Sequence, residues 1–172
     1  MALRGWPRQL TWADFRKVDS RPPGSREDAH IESEFSNPPG KPFQIVEKGG
    51  EFRLSRIVLR VKVDGERTWV VKGAQDEELL RHEQGHFDII GLLAREWHRT
   101  LQKLRANSEE QLKTLMRREE RRILAKGEHY DPVSGDGLYD RETDHGQNRG
   151  KQKEGNQRPR RLKSSGKPLP AP

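Results

Sequence analysis

The sequence predicts an α+β domain: a small antiparallel sheet packed on one long helix that carries an HExxH motif, a second helix beside it, and a disordered C-terminal tail. Three observations lead there. A β-branched alternating run fills residues 52–63, and apolar residues recur at a helical period between Leu79 and Leu104. After Gly146 apolar residues almost vanish.

The first segment, Leu10-Thr11-Trp12-Ala13-Asp14-Phe15, is short and aromatic, and breaks follow at Pro22-Pro23-Gly24 and at Pro38-Pro39-Gly40 with Pro42. Residues 25–37 between the breaks read as irregular chain or a short strand. From Phe52 the alternation of Phe52, Leu54 and Val58 with polar residues, running on through Ile57-Val58-Leu59-Arg60-Val61-Lys62-Val63, is that of a strand. Asp64-Gly65 signals a hairpin, with residues 67–72 returning antiparallel to 52–63. Asp76 is the expected N-cap of the long helix, and Glu77 and Glu78 suit the positive end of its dipole. The apolar stripe of Leu79, Leu80, Ile90, Leu93, Ala94, Trp97, Leu101 and Leu104 carries that helix to about Arg105. Ser108 and Gln111 form a capping box for a second helix ending near Lys126-Gly127. Residues 128–146 are expected as a Gly- and Asp-rich loop. Residues 147–172 are too poor in apolar groups to offset chain entropy, so a domain of residues 1–146 and a disordered basic tail are expected.

The charge follows the same division. The 172 residues hold 34 Lys+Arg and 27 Asp+Glu, a formal charge of +7. Residues 147–172 contain eight basic groups and one acid, Glu154, while residues 1–146 hold 26 of each sign. The whole excess lies in the tail. Hydrophobic residues make up 30% of the chain, so only part of it can be packed. Lack of cysteine excludes disulfides and thiolate metal ligands. No apolar run reaches the length of a membrane span, and the stretch 1–12 lacks a signal-peptide core, which by default predicts a cytoplasmic protein.

The most specific feature is His82-Glu83-Gln84-Gly85-His86 inside the long helix. Residues i and i+4 share a helical face, so both imidazoles can reach one Zn²⁺ at about 2.0–2.1 Å. Glu83, one position round, can serve a zinc-activated water as general base. The alternative is two histidines and a glutamate satisfied by ordinary hydrogen bonds. A catalytic zinc needs a third protein ligand and an open position, and without cysteine that ligand is His, Asp or Glu. His98 lies about 18 Å along the helix from His86 and cannot share the ion. His30 has no supporting context. The stretch Tyr139-Asp140-Arg141-Glu142-Thr143-Asp144-His145-Gly146 concentrates suitable groups, with His145 the first choice and Glu142 the second. In the same stretch Tyr139 is either a hydroxyl donor to a tetrahedral oxyanion or a packed aromatic. Asp88, two residues beyond His86, points off the metal face and suits a supporting bond or a surface salt bridge.

The string Leu79-Leu80-Arg81-His82-Glu83-Gln84-Gly85-His86-Phe87-Asp88-Ile89 resembles the signature of a bacterial family of proposed secreted zinc-dependent proteases, domain of unknown function 922. Leu10 to Phe15, Thr68-Trp69-Val70 and Tyr139 to Gly146 resemble it as well. The resemblance implies a zincin-like metallopeptidase with His82 and His86 as zinc ligands and Glu83 as catalytic acid/base, and it supports a role for Glu142 or His145. It departs in two respects: the relatives look exported, and the likeness fades after Gly146.

Three functions are therefore expected in competition. The first is a zinc-dependent peptidase that acts on a peptide or protein, with the substrate adding to a sheet edge near Trp69. The second is an inactive, zinc-stabilised binding module whose fourth position is filled by protein. The third is weak polyanion binding by the tail, whose Arg158-Pro159-Arg160-Arg161-Leu162-Lys163 cluster has the charge for it. The tail has no aromatic residue for base stacking, and the domain carries no net charge, so nucleic acid is not an expected partner of the domain.

Overall fold

The structure, a computed structural model, describes residues 2–40, 43–132, 137–144 and 149–171. It is a mixed α+β arrangement of two small sheets and four helices. The strands are β1 (Ala2–Arg4), β2 (Arg16–Val18), β3 (Ala29–His30), β4 (Ser33–Ser36), β5 (Phe43–Lys48), β6 (Glu51–Val63) and β7 (Trp69–Val71). The helices are α1 (Glu77–Lys103), α2 (Glu109–Tyr130), α3 (Leu138–Thr143) and α4 (Arg149–Ser165), and a 3₁₀ turn spans Trp12–Asp14. None of the described helices is long and apolar enough to cross a membrane.

The long strand forms where alternation predicts it, but its partners differ. β6 pairs with β1 in parallel and with β4 and β5 antiparallel, while β7 joins a separate sheet between β2 and β3. The expected hairpin of residues 52–63 with 67–72 is thus incorrect. Asp64-Gly65 makes an excursion, not a reversal. The register shows why: Val63 faces Ser33 and Trp69 faces His30, so β6 and β7 run the same way past one continuous partner, residues 29–36. Asp64 holds the excursion closed. Its N–H donates to the Glu32 carbonyl at 2.8 Å, and its own carbonyl accepts from Thr68 at 2.9 Å. The buried Thr68 hydroxyl then accepts from the Glu32 N–H at 3.1 Å. The real hairpin is β5–β6, turned by Gly49 and Gly50 at φ 65° and 80°. Positive φ at both central residues is the two-residue turn that matches strand twist, and glycine takes it without steric cost.

α1 begins as expected, with the Asp76 carboxylate accepting from the N–H groups of Glu78 and Leu79 at 2.8 Å each. It is buried around most of its circumference, from His82 and Glu83 through Leu92, Leu93, Trp97 and Leu101. β6 covers one side, α2 a second and α4 a third. A helix apolar on several sides is a central one. The N-terminal segment locks onto it: Trp6 lies over Gly91 and donates its indole N–H to Asp88 at 2.9 Å. Ser108 caps α2 through the Gln111 N–H at 3.1 Å, and the Gln111 side chain accepts from Asn107. α2 runs on past Gly127 because Tyr130, buried at its end, anchors one more turn.

Two further expectations are corrected. Within the expected loop of residues 128–146, the chain first completes α2 and then forms α3. The expected disordered tail is a helix, α4, followed by an extended segment. Its apolar content is as low as composition says, so its docking is largely polar. Arg95 donates to the backbone carbonyls of Leu162, Lys163 and Lys167 at 2.7, 3.1 and 2.8 Å. Lys163 pairs with Asp88 at 2.6 Å. Lys126, buried beside Glu96, donates to the Leu169 carbonyl at 2.8 Å, and Leu169 itself is buried. Composition misleads here because α1 supplies the apolar and polar partners that the tail lacks.

Candidate metal centre

The motif residues sit in the second and third turns of α1, where their faces divide the labour. Gln84 turns to the N-terminal segment. It accepts from the Leu10 N–H at 2.8 Å and donates to the Arg8 carbonyl at 3.2 Å and to Asp88 at 3.1 Å. Asp88 therefore lies off the metal face as expected, but its salt bridge with Lys163 is buried and not the surface one expected. Gly85 admits the ring of Tyr139, whose hydroxyl occupies the space a Cβ would need. The glycine within the motif is thus a packing requirement of α3 against α1.

On the remaining face, His82 and His86 are joined by Asp140 of α3. The His82 and His86 Nε2 atoms are 3.1 Å apart. Asp140 Oδ1 is 3.1 Å from His86 Nε2 and 3.6 Å from His82 Nε2. Asp140 and His82 are buried. Asp140 Oδ1 has no hydrogen bond of good geometry among the described residues despite those short approaches. Ligands about 2.0–2.1 Å from a tetrahedral zinc are themselves about 3.4 Å apart. The three donor atoms therefore fit such an ion without rearrangement, and two nitrogens with a carboxylate are a suitable donor set.

Around the triad lie groups that set orientation. His86 Nδ1 meets Asp131 Oδ1 at 2.9 Å, so in the neutral, metal-binding form of the ring Nδ1 carries the proton and Nε2 keeps its lone pair for the centre. Burial would lower the His86 pKa, but Asp131 and Asp140 outweigh it and hold it well above the ordinary value in the absence of an ion. Tyr139 stacks on His82 at 5.3 Å between centroids and stands edge-on to His86 at 4.7 Å. Its hydroxyl meets the His82 carbonyl at 3.1 Å and the Asn156 side chain of α4. It is thereby committed to the backbone of α1 and braces the two imidazoles. The expected oxyanion-donor role is not the one its bonds describe; packing is.

Glu83 is buried and lines a cavity of about 320 Å³ together with His86, Asp131 and Asp140. Burial pushes its carboxyl up to about 7, with Glu27 and Asp140 acting in the same direction and His86 and His30 opposing. A dication at the neighbouring triad would draw it back down. The opposite wall of the cavity is the strand 29–36, whose β4 part is an edge of its sheet and whose β3 part is an edge of the other. Trp69 is not at an edge; β7 is central, and Trp69 stacks on His30 at 6.2 Å.

The other expected site residues fall as follows. Glu142 turns from the centre to Arg158 of α4 at 2.7 Å. His145 lies outside the described residues. Asp140 and Asp131 were not among the expected ligands. The stretch holding Asp140 is conspicuous in the sequence, but which of its residues reaches the histidines depends on residues 138–143 forming a helix packed through Tyr139. Asp131 carried a weaker signal, a lone acid just past a helix end.

Residues 66–146 match the family described as bacterial protein of unknown function (DUF922). The match contains α1, α2 and α3 and every residue of the triad and its supports except Asn156. No curated protein and no solved structure matches the chain.

Proposed function

We propose that this chain is a zinc-dependent peptidase of zincin-like architecture, with His82, His86 and Asp140 as the metal ligands and Glu83 as general base. The observation that carries the reading is the convergence of three donor atoms, 3.1 to 3.6 Å apart, at the wall of a cavity that Glu83 also lines. Zinc bound there would polarise a substrate carbonyl and bring the pKa of water toward 7. The residues of the chain do the rest. Asp131 fixes the His86 tautomer, and Tyr139 fixes the attitude of both rings. An extended peptide laid along the 29–36 edge by main-chain hydrogen bonds presents its carbonyl to the centre. Glu83 accepts a proton from the attacking water and returns it to the departing amine.

The test is hydrolysis of a mixed peptide library by the full chain loaded with zinc, set against Glu83→Gln and Asp140→Ala. Glu83→Gln is expected to lose about 10²–10⁴-fold in rate while still binding zinc, because a general base is removed and no ligand is touched. Asp140→Ala is expected to lose zinc affinity first and activity as a consequence. Undiminished hydrolysis by Glu83→Gln would overturn the mechanism. Stoichiometric zinc with no hydrolysis in any preparation, and four protein ligands by X-ray absorption, would favour the inactive binding module instead.

A further inference from the structure

Asp140, the third proposed ligand, is carried by α3, and a helix of six residues has no stability of its own. It is held from two sides. Tyr139 packs it on α1 at Gly85, and α4 closes over the other side. A Cβ at Gly155 of α4 would stand 2.5 Å from Thr143 Cγ2, so the two helices meet with no room to spare. Around that contact Asn156 accepts from the Tyr139 hydroxyl, Arg158 pairs with Glu142 at 2.7 Å and Lys151 with Asp144 at 3.7 Å.

The hold of α4 on the rest of the molecule is of a kind that can be released. Pro159 and Leu162 are its only apolar side chains. Lys163 pairs with Asp88 at 2.6 Å, Gln152 donates to the Glu78 carbonyl, and Arg95 donates to carbonyls at and beyond the last turn. Partly exposed ion pairs contribute little and weaken with salt, and elements with few apolar contacts open locally at low free energy. Asp88 keeps the Trp6 and Gln84 donors at 2.9 and 3.1 Å when Lys163 leaves it. Leu169, buried beyond the helix, keeps the chain attached on the far side.

Charge sets what favours release. Docked, α4 turns Lys153, Arg160 and Arg161 to solvent, with no ion pair among the described residues. Lys151, Arg158 and Lys163 face acids of the body instead. A polyanion on the docked helix meets the first three cations; on the released segment it meets all six. It therefore binds the released form better, and a ligand shifts an equilibrium by that difference alone.

We propose that α4 is a strap whose docking completes the metal centre, and that a flexible polyanion and zinc oppose one another through it. Zinc needs Asp140 in place and so holds the strap on, while the polyanion draws it off. The proposal rests on the metal centre of the reading above and not on hydrolysis.

The experiment measures binding of fluorescently labelled dextran sulfate to the full chain at low salt, first metal-free and then saturated with zinc. The affinity is expected to be about fivefold or more weaker with zinc, since the coupling acts in both directions. In Asp140→Ala zinc should leave that affinity unchanged, which also controls for zinc taken up by the polymer. Separately, Gly155→Ala wedges α4 from α3 without touching a ligand, and should weaken zinc binding by about tenfold against a chelating indicator. Circular dichroism of the metal-free variants is the folding control. Dextran sulfate affinity that zinc leaves unchanged or raises in wild type, or wild-type zinc affinity in Gly155→Ala, overturns the strap and leaves the metal centre standing. If zinc and polymer oppose one another in a chain that hydrolyses no peptide, the peptidase fails and the strap stands.

Discussion

At the scale of single residues, the proposed centre depends on the neighbours that hold its donor atoms in place. Asp131 is the clearest. By accepting from His86 Nδ1 at 2.9 Å it decides which ring nitrogen is free to bind. Removing such a partner commonly costs 10–100-fold in metal affinity, so Asp131→Asn should weaken zinc binding by about that factor, measured by competition with a chelating indicator. Gly85 is a second case. Because the Tyr139 hydroxyl fills the place of a Cβ, Gly85→Ala must push α3 away or displace the ring. Overpacking of that kind typically costs about 1–3 kcal/mol, and here thermal melting should fall while the helix itself, by propensity, gains. The sequence made His82, Glu83 and His86 legible because their spacing alone puts chemistry on one face. Asp140 was not legible in that way. Its position is set by Tyr139 packing on Gly85, a contact between residues far apart in the chain.

At the scale of elements, local signals were read well wherever a residue acts on its own backbone. Asp76 and Ser108 cap the helices they were expected to cap, since a side chain bonding N–H groups two or three residues on needs no tertiary help. The failures came where partners were distant. Asp64-Gly65 has hairpin composition, yet β4 already occupies the flank of β6 that a returning strand would need. α4 is the largest such case. It contains Pro159, which removes a backbone donor, and its own residues offer little apolar surface. The helix therefore owes its existence to α1 and α3. A peptide of residues 149–171 should show no helical circular dichroism in isolation, since short helices without a favourable sequence are marginal in water. In the whole chain, Leu169→Ala should cost about 2–5 kcal/mol, the usual range for truncating a buried leucine, read as a fall in the denaturation midpoint.

At the scale of the whole molecule, the triad ties α1 to α3, and α3 is in turn held by α4 through Asn156 and Arg158. An ion that binds only the folded arrangement stabilises it in proportion to the logarithm of its excess over the dissociation constant, about 4 kcal/mol at a thousandfold excess. Stripping zinc with a chelator should therefore lower the melting temperature of the intact chain, and should do so far less in Asp140→Ala. The division of charge also changes meaning at this scale. Most basic residues of the C-terminal region lie on a docked helix, while the carboxylates of the cavity outnumber its basic side chains among the described residues. The separation of the ligands along the chain, His82 and His86 on one helix and Asp140 on another, has a further consequence in time. A chain emerging from the ribosome exposes its histidine pair long before the third donor has been made. Until α3 follows, the nascent chain has two of the three proposed ligands. If the chain is the peptidase proposed above, the order of synthesis itself delays hydrolysis until the polypeptide can fold around the centre.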